Sequence, residues 1–235
     1  MIAAVLVGAA FGIVAYVFSV WLPWVIARDE ERLRSELAGG STAGQEWAPD
    51  PGLRDLFFVP KAAAVAAALG AAISTLALQQ YEWGAKYFAV LCFVIALLSA
   101  GLSDYRTRLI PDALTLPMLW IGLLSQLLAP TRIVPVESGI VGAVLGYMLP
   151  WSIGVARMAV GRTAAIGGGD LKLMAMIGAW IGPTGALATL FSASVAVVLM
   201  QGVSLVFLKA GTSKEIPFGP WLAVFGCAWI LYAAR

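Results

Sequence analysis

The chain is a succession of apolar runs, most of them bilayer-length, joined by short polar turns. Eight can be marked out, at about 2–26, 61–79, 86–103, 113–129, 138–159, 171–182, 184–208 and 217–234. About 20 consecutive apolar residues cross the hydrocarbon core as a helix, with every backbone group bonded inside the segment. The fold these runs imply is all-α, a polytopic membrane helix bundle of about eight transmembrane helices. Only 12% of the 235 residues are charged, against about 25% in globular chains, which leaves little room for a soluble domain. The first run follows no basic segment and is too long for the apolar part of a signal peptide, so it reads as a retained span. The sixth run is short, and Gly182-Pro183 divides it from the seventh. A short, glycine-interrupted run beside an ionisable residue is expected to line a cavity and not to face lipid.

The one sizeable polar stretch, 27–60, divides the chain into N-terminal spans that carry this loop, 1–82, and a bundle over 83–235. Lysine and arginine orient the whole. With the N-terminus outside, twelve of the 15 fall on one side and only Lys86, Arg132 and Arg235 on the other, so the rich side is cytoplasmic. The turns after the third run and before the sixth then share the cytoplasmic face. The loop begins RDEERLRSE, alternating charge as a solvated helix face does; Asp29, Glu30, Glu31 and Glu36 could also meet a basic peptide. A net charge of +2 makes no case for nucleic acid. Cys92 and Cys227 lie in apolar runs without a CxxC, so both read as small buried hydrophobes, with no zinc ribbon or disulfide framework.

Two aspartates stand out against this background. Asp104 ends the third run in SDYRTRLIPD, and Asp170 opens the sixth in IGGGDLKLMAM. A carboxylate at bilayer depth costs roughly 2.5–3.5 kcal/mol on insertion scales, so a function is its first reading. Taken singly, each could be a helix cap in a wet loop. Two on one face, in a chain without histidine, suggest an aspartyl hydrolase. In that chemistry two carboxylates share a proton and activate a water, with no metal. Gly167, Gly168 and Gly169 remove side chains before Asp170, allowing close approach and a positive φ. Asp170 would then sit at the positive end of a helix, with the Lys172 charge nearby. Pro111 and Pro117 are expected to break and restart the helix around Asp112, an N-cap candidate for the fourth span.

Together, DYRTRLIPDALTLPMLWIGLL from Asp104, GAVLGYMLPW, IGGGDLKLMAMIGAWIG and IPFGPWLAVFG closely resemble the type IV prepilin leader peptidases, part of the GxGD family of intramembrane aspartyl proteases. The four blocks come in that family's order and spacing over about residues 83–235, which the resemblance makes the catalytic core. It implies that Asp104 and Asp170 are catalytic, and that Gly167, Gly168, Gly169, Lys172, Pro111, Asp112, Pro217, Gly219 and Pro220 form the supporting motif. The implied substrate is a type IV prepilin or pseudopilin, whose short basic leader is cut before its hydrophobic helix. The implied place is the cytoplasmic face of the bacterial inner membrane, among lipid and without nucleic acid. Members often also N-methylate the new amino terminus with S-adenosylmethionine. Gly12 keeps the family's spacing to Leu22-Pro23, but Tyr16 and Trp21 stand among residues that are polar in the family, and Ala165 replaces a frequent glycine. The loop 27–60 is short and lacks the cysteine pairs of bifunctional members. The expectation is cleavage without a cofactor and poor or absent methylation, with S-adenosylmethionine needed only if that second activity is retained.

Two alternatives stay open. A small membrane transporter could use the aspartates as an ion relay, although no internal repeat is evident and both lie at one rim. A preflagellin- or presenilin-like GxGD protease would share the core, but the LTLP and PFGP blocks favour the prepilin type. Among the remaining residues, Glu82 and Glu137 read as solvated loop positions, and Ser103 as bonded to its own helix. Trp21, Trp24, Trp83, Trp180 and Trp221 read as interfacial anchors near span ends.

Overall fold

The computed structural model describes residues 2–14, 16–17, 60–161, 167–207 and 217–232, without the side chains of 60–66 and 204–207. The first polar loop, with Asp29, Glu30, Glu31 and Glu36, lies outside them, as do Trp21, Leu22-Pro23 and Trp24 at the end of the first run and Ala165 before the glycines. The described residues are all-α, with no strand among them. In chain order the helices are α1 (Ile2–Val14), α2 (Pro60–Gln80), α3 (Ala85–Thr107), α4 (Asp112–Leu127), α5 (Val136–Ala159), α6 (Gly168–Phe207) and α7 (Gly219–Tyr232). By length and composition α3, α5 and α6 are long and apolar enough to cross a membrane.

The sixth and seventh apolar runs both belong to α6, whose 40 residues are interrupted at Gly182, where φ is 72°. As one straight helix it would be about 60 Å long, twice the thickness of a bilayer's hydrocarbon core. Pro183 cannot continue the ladder past that point, and glycine tolerates the left-handed φ that a side chain would resist. The break thus divides one over-long helix into a short segment of 14 residues before Gly182 and one of bilayer scale, 25 residues, after it. Past Lys172 the first segment is buried inside the protein. Leu173, Met174, Met176, Ile177 and Trp180 are fully buried, packed among Val90, Phe93, Val94 and Leu97 of α3 and Leu222 and Ile230 of α7.

Lipid tails are as apolar as leucine, so tight van der Waals contact, and not water exclusion, holds such helices together. Small residues supply it here. On α5, Gly142 meets the Gly178 carbonyl of α6 and Gly146 meets that of Met174, backbone against backbone. A Cβ added to Gly101 of α3 would lie 2.8 Å from the Ala223 Cβ of α7, and one on Gly122 of α4 would lie 2.5 Å from the Trp180 ring nitrogen. On α1, Gly8 and Gly12 pack against Gly70 of α2. Ser74 then ties three helices, donating to the Ala4 carbonyl at 2.7 Å and pairing with the Tyr87 hydroxyl at 2.5 Å. The large apolar residues left outside, such as Trp120, Val144, Phe191 and Val198, suit a lipid-facing surface.

Three sequence expectations fail for reasons of packing. Trp180 is not interfacial: it is wholly buried, stacks on Phe93 at 5.0 Å and donates its indole N–H to the Met118 carbonyl at 2.8 Å. Cys92 is exposed on the outside of α3, whereas Cys227 is buried as expected. Pro117 does not break the helix after Asp112 but lies inside α4, six residues into a segment that Pro111 alone begins.

Candidate active site

The site starts at the end of α3. Arg108 adopts the left-handed conformation there, φ 57°, and its N–H closes on the Asp104 carbonyl at 3.0 Å. That turn is a common helix stop, though glycine usually occupies it. Ser103 donates to the Leu109 carbonyl at 2.8 Å, so it bonds the outgoing loop and not its own helix. The chain folds back over the helix end, and Ile110 comes to rest 3.0 Å from where a Cβ on Gly169 would be.

These constraints leave Asp104 buried in the last turn of α3. A carboxylate is badly placed at that end of its own helix, where the dipole is negative. The N-terminus of α7 offsets this: the Gly219 N–H donates to Asp104 Oδ2 at 2.9 Å. Pro220, next in the helix, has no N–H of its own to satisfy. Gly219 is glycine because of close approach, since a Cβ there would lie 2.8 Å from both the Cβ and Oδ2 of Asp104. The resemblance places the PFGP block in the supporting motif, but nothing local in the sequence links its glycine to a carboxylate 115 positions earlier.

Asp170 is the third residue of α6. Its Oδ2 reaches back to accept the Gly167 N–H at 3.3 Å, one half of a capping box. The helix-cap reading therefore holds for one oxygen only. The other, Oδ1, is buried and has no hydrogen-bond partner. The three glycines do not use positive φ, which among described glycines occurs only at Gly161 and Gly182. Gly169 is instead needed for the approach of Ile110, while Gly168 faces open space. Asp104 and Asp170 lie within reach of each other's charge.

Asp112 and Lys172 have different places from those expected. Pro111 is the N-cap of α4, and Asp112 is its first helical residue, with no capping hydrogen bond. Its carboxylate takes the Lys172 ammonium at 2.5 Å, so that charge is directed to α4 and not to Asp170. The pair is partly exposed and bridges the start of α4 to the first turn of α6. Pro217 lies half-buried just before α7. Glu82 is exposed in the turn between α2 and α3, whereas Glu137, expected in a loop, is exposed in the first turn of α5; both lie outside the site.

The arrangement thus brings two carboxylates from separate helices together, each with one oxygen held by a backbone N–H at a helix start. Residues 91–202 match the sequence model of the Type IV leader peptidase family. That segment is similar to that family. The matched segment contains both aspartates, the α3–α4 turn and the glycine run. Three relatives carry the name prepilin leader peptidase/N-methyltransferase. That of Dickeya chrysanthemi is 42% identical over 142 residues, 59% of this chain and 48% of the relative. That of Neisseria gonorrhoeae is 33% identical over 157 residues, 66% of this chain and 52% of the relative. That of Dichelobacter nodosus is 34% identical over 169 residues, 71% of this chain and 56% of the relative. The chain spans about half the length of these curated relatives. No solved structure matches it.

Proposed function

We propose that this type IV leader peptidase domain is an aspartyl endopeptidase that removes the basic leader of type IV prepilins or pseudopilins, with Asp104 and Asp170 as its catalytic pair. The observation that carries this reading is that the buried Asp104 and the half-buried Asp170 lie within reach of each other's charge, the latter with an oxygen left unpartnered. Two carboxylates in reach of each other hold one proton between them and titrate as a unit. The ionised member takes a proton from water as its oxygen bonds to the scissile carbonyl carbon. The protonated member gives its proton to the carbonyl oxygen, forming a gem-diol. On collapse one gem-diol hydroxyl gives its proton to the ionised carboxylate, the C–N bond breaks and the protonated carboxyl passes its proton to the leaving amine, so the pair again holds one proton. The backbone N–H groups of Gly219 and Gly167 keep one oxygen of each aspartate fixed throughout.

The charge asymmetry supports an inner-membrane protein with the N-terminus outside and the site at the cytoplasmic face. Residues 83–235 form the catalytic core in this reading, and 1–82 the N-terminal spans. Proteolysis uses no cofactor. S-adenosylmethionine would serve only a second, N-methylating activity, which the resemblance associates with the first span and the loop 27–60; that loop lies outside the described residues. One experiment tests both activities: purified protein is given a prepilin and S-adenosylmethionine, and the product is weighed by mass spectrometry. The expected product lacks its leader and carries a free amine. Asp104→Asn and Asp170→Asn should each lower the rate by about 10³-fold or more while the protein still accumulates. Cleavage near the wild-type rate by either variant removes the dyad.

A further inference from the structure

Beside the aspartates, but outside the pair itself, α1, α2, α3 and α7 enclose an almost wholly apolar groove of about 260 Å³. Its α3 wall is the stripe Leu98, Leu102 and Tyr105, spaced i, i+4 and i+7, and it ends in the turn that carries Asp104. Its α7 wall begins at Pro220, the residue after the glycine whose N–H holds Asp104. We propose that this groove docks the membrane-embedded apolar segment of the protein substrate, a proposal that rests on the peptidase reading above.

Three observations favour a peptide segment as the occupant. The groove runs up to the proposed site of cleavage, so a chain whose scissile bond lies at the carboxylates can continue along it without entering water. Its volume suits a few large apolar side chains and not a complete helix, which is about 10 Å across. The occupant therefore lies against the protein with one face inserted, as a helix does when it packs against the small residues Gly12 and Gly101 that line the groove. At the Asp104 end, the Arg106 guanidinium sits 5.2 Å from the ring centre of Tyr16, another lining residue, and its Nη1 is buried without a hydrogen-bond partner. A buried N–H left unmade is costly. A peptide carbonyl or carboxylate entering beside the groove answers it, whereas an acyl chain does not. Tyr16, which replaces a polar residue of the resembling family, thus serves both as groove wall and as platform for the arginine.

The test is site-specific photo-cross-linking in membranes with a type IV prepilin as probe. A photoreactive side chain replaces Leu102 or Val224 in the groove, or Val144 on the outer face of α5, each in an Asp170→Asn background so that the precursor is not consumed. Wild-type cleavage is run in parallel. Adducts to the precursor's apolar segment are expected from both groove positions and not from Val144. A wild type that cleaves while the groove yields only lipid adducts, or no more precursor than Val144 does, overturns the groove and leaves the peptidase standing. A wild type that does not cleave overturns the peptidase reading, and the groove falls with it. As a second readout, Leu102→Trp, which fills the groove, should raise KM for the precursor roughly tenfold and leave kcat within about twofold. Val144→Trp should change neither. An unchanged KM in Leu102→Trp counts against docking.

Discussion

Two polar side chains with buried oxygen atoms sit at opposite ends of the α4–α6 contact and are treated in opposite ways. Gln126, at the end of α4, is fully buried and every polar atom is used. Its Oε1 accepts the N–H groups of Ile133 and Val134 at 2.9 and 3.1 Å, and its Nε2 points at the Ala179 and Trp180 carbonyls, both 3.4 Å away. Its backbone carbonyl takes Arg132 Nε at 2.8 Å. Asp170, at the start of α6, has a single partner for one oxygen and none for the other. A saturated polar knot in a low-dielectric core holds its surroundings in one arrangement. A buried oxygen without a partner costs stability, and such exceptions in native structures call for an explanation. The first is a fastening; in the proposed mechanism the second keeps a place for water or substrate.

Three substitutions press on that contrast. Gly219→Ala keeps the N–H but drives a Cβ into Asp104, so kcat should fall about 10–100-fold, the scale of a displacement near 1 Å at a reacting group. Near-normal turnover in that variant would mean that the α7 N-terminus does not position the carboxylate. Gln126→Leu should act on the other end alone. Losing its bonds leaves two N–H groups and two carbonyls unanswered, a cost of about 2–3 kcal/mol. Thermal unfolding in detergent should report it, while cleavage per folded molecule stays unchanged. Lost turnover with stability intact would erase the distinction between fastening and site. The smallest effect belongs to Asp112→Asn. Its partly exposed pair with Lys172 is worth about 0.2–1 kcal/mol, so turnover should drop only a few-fold. Exchanging the two charges, Asp112→Lys with Lys172→Asp, should recover part of it. Complete loss in Asp112→Asn at normal protein levels would place that carboxylate in the chemistry itself.

Much of this architecture is legible in the sequence. Among the described residues the eight apolar runs reappear as seven helices, one of them broken at Gly182 where the sequence shows a glycine and a proline. Asp104 and Asp170 are singled out by the cost of a carboxylate among apolar residues, and the structure does bring them together. Roles that depend on a distant partner are not legible. Lys172 answers Asp112 from 60 positions away, and Gly219 serves Asp104 from 115. Gln126 and Arg106 draw no notice in the sequence, since a lone glutamine or arginine near a span end carries no local signal of what it meets.

The sequence by itself determined that the chain is helical and membrane-length in its runs, and which two acids stand out, because hydropathy and the cost of charge are properties of short segments. Only the tertiary structure decided which apolar faces look inward. In lipid both faces of a helix can be apolar, so the periodicity that marks a buried side in water is weak here. That is why Trp180, expected at the interface, lies in the core, and why Cys92, expected inside, lies out. Contact between glycine backbones, and the few polar groups that must find partners, made that choice.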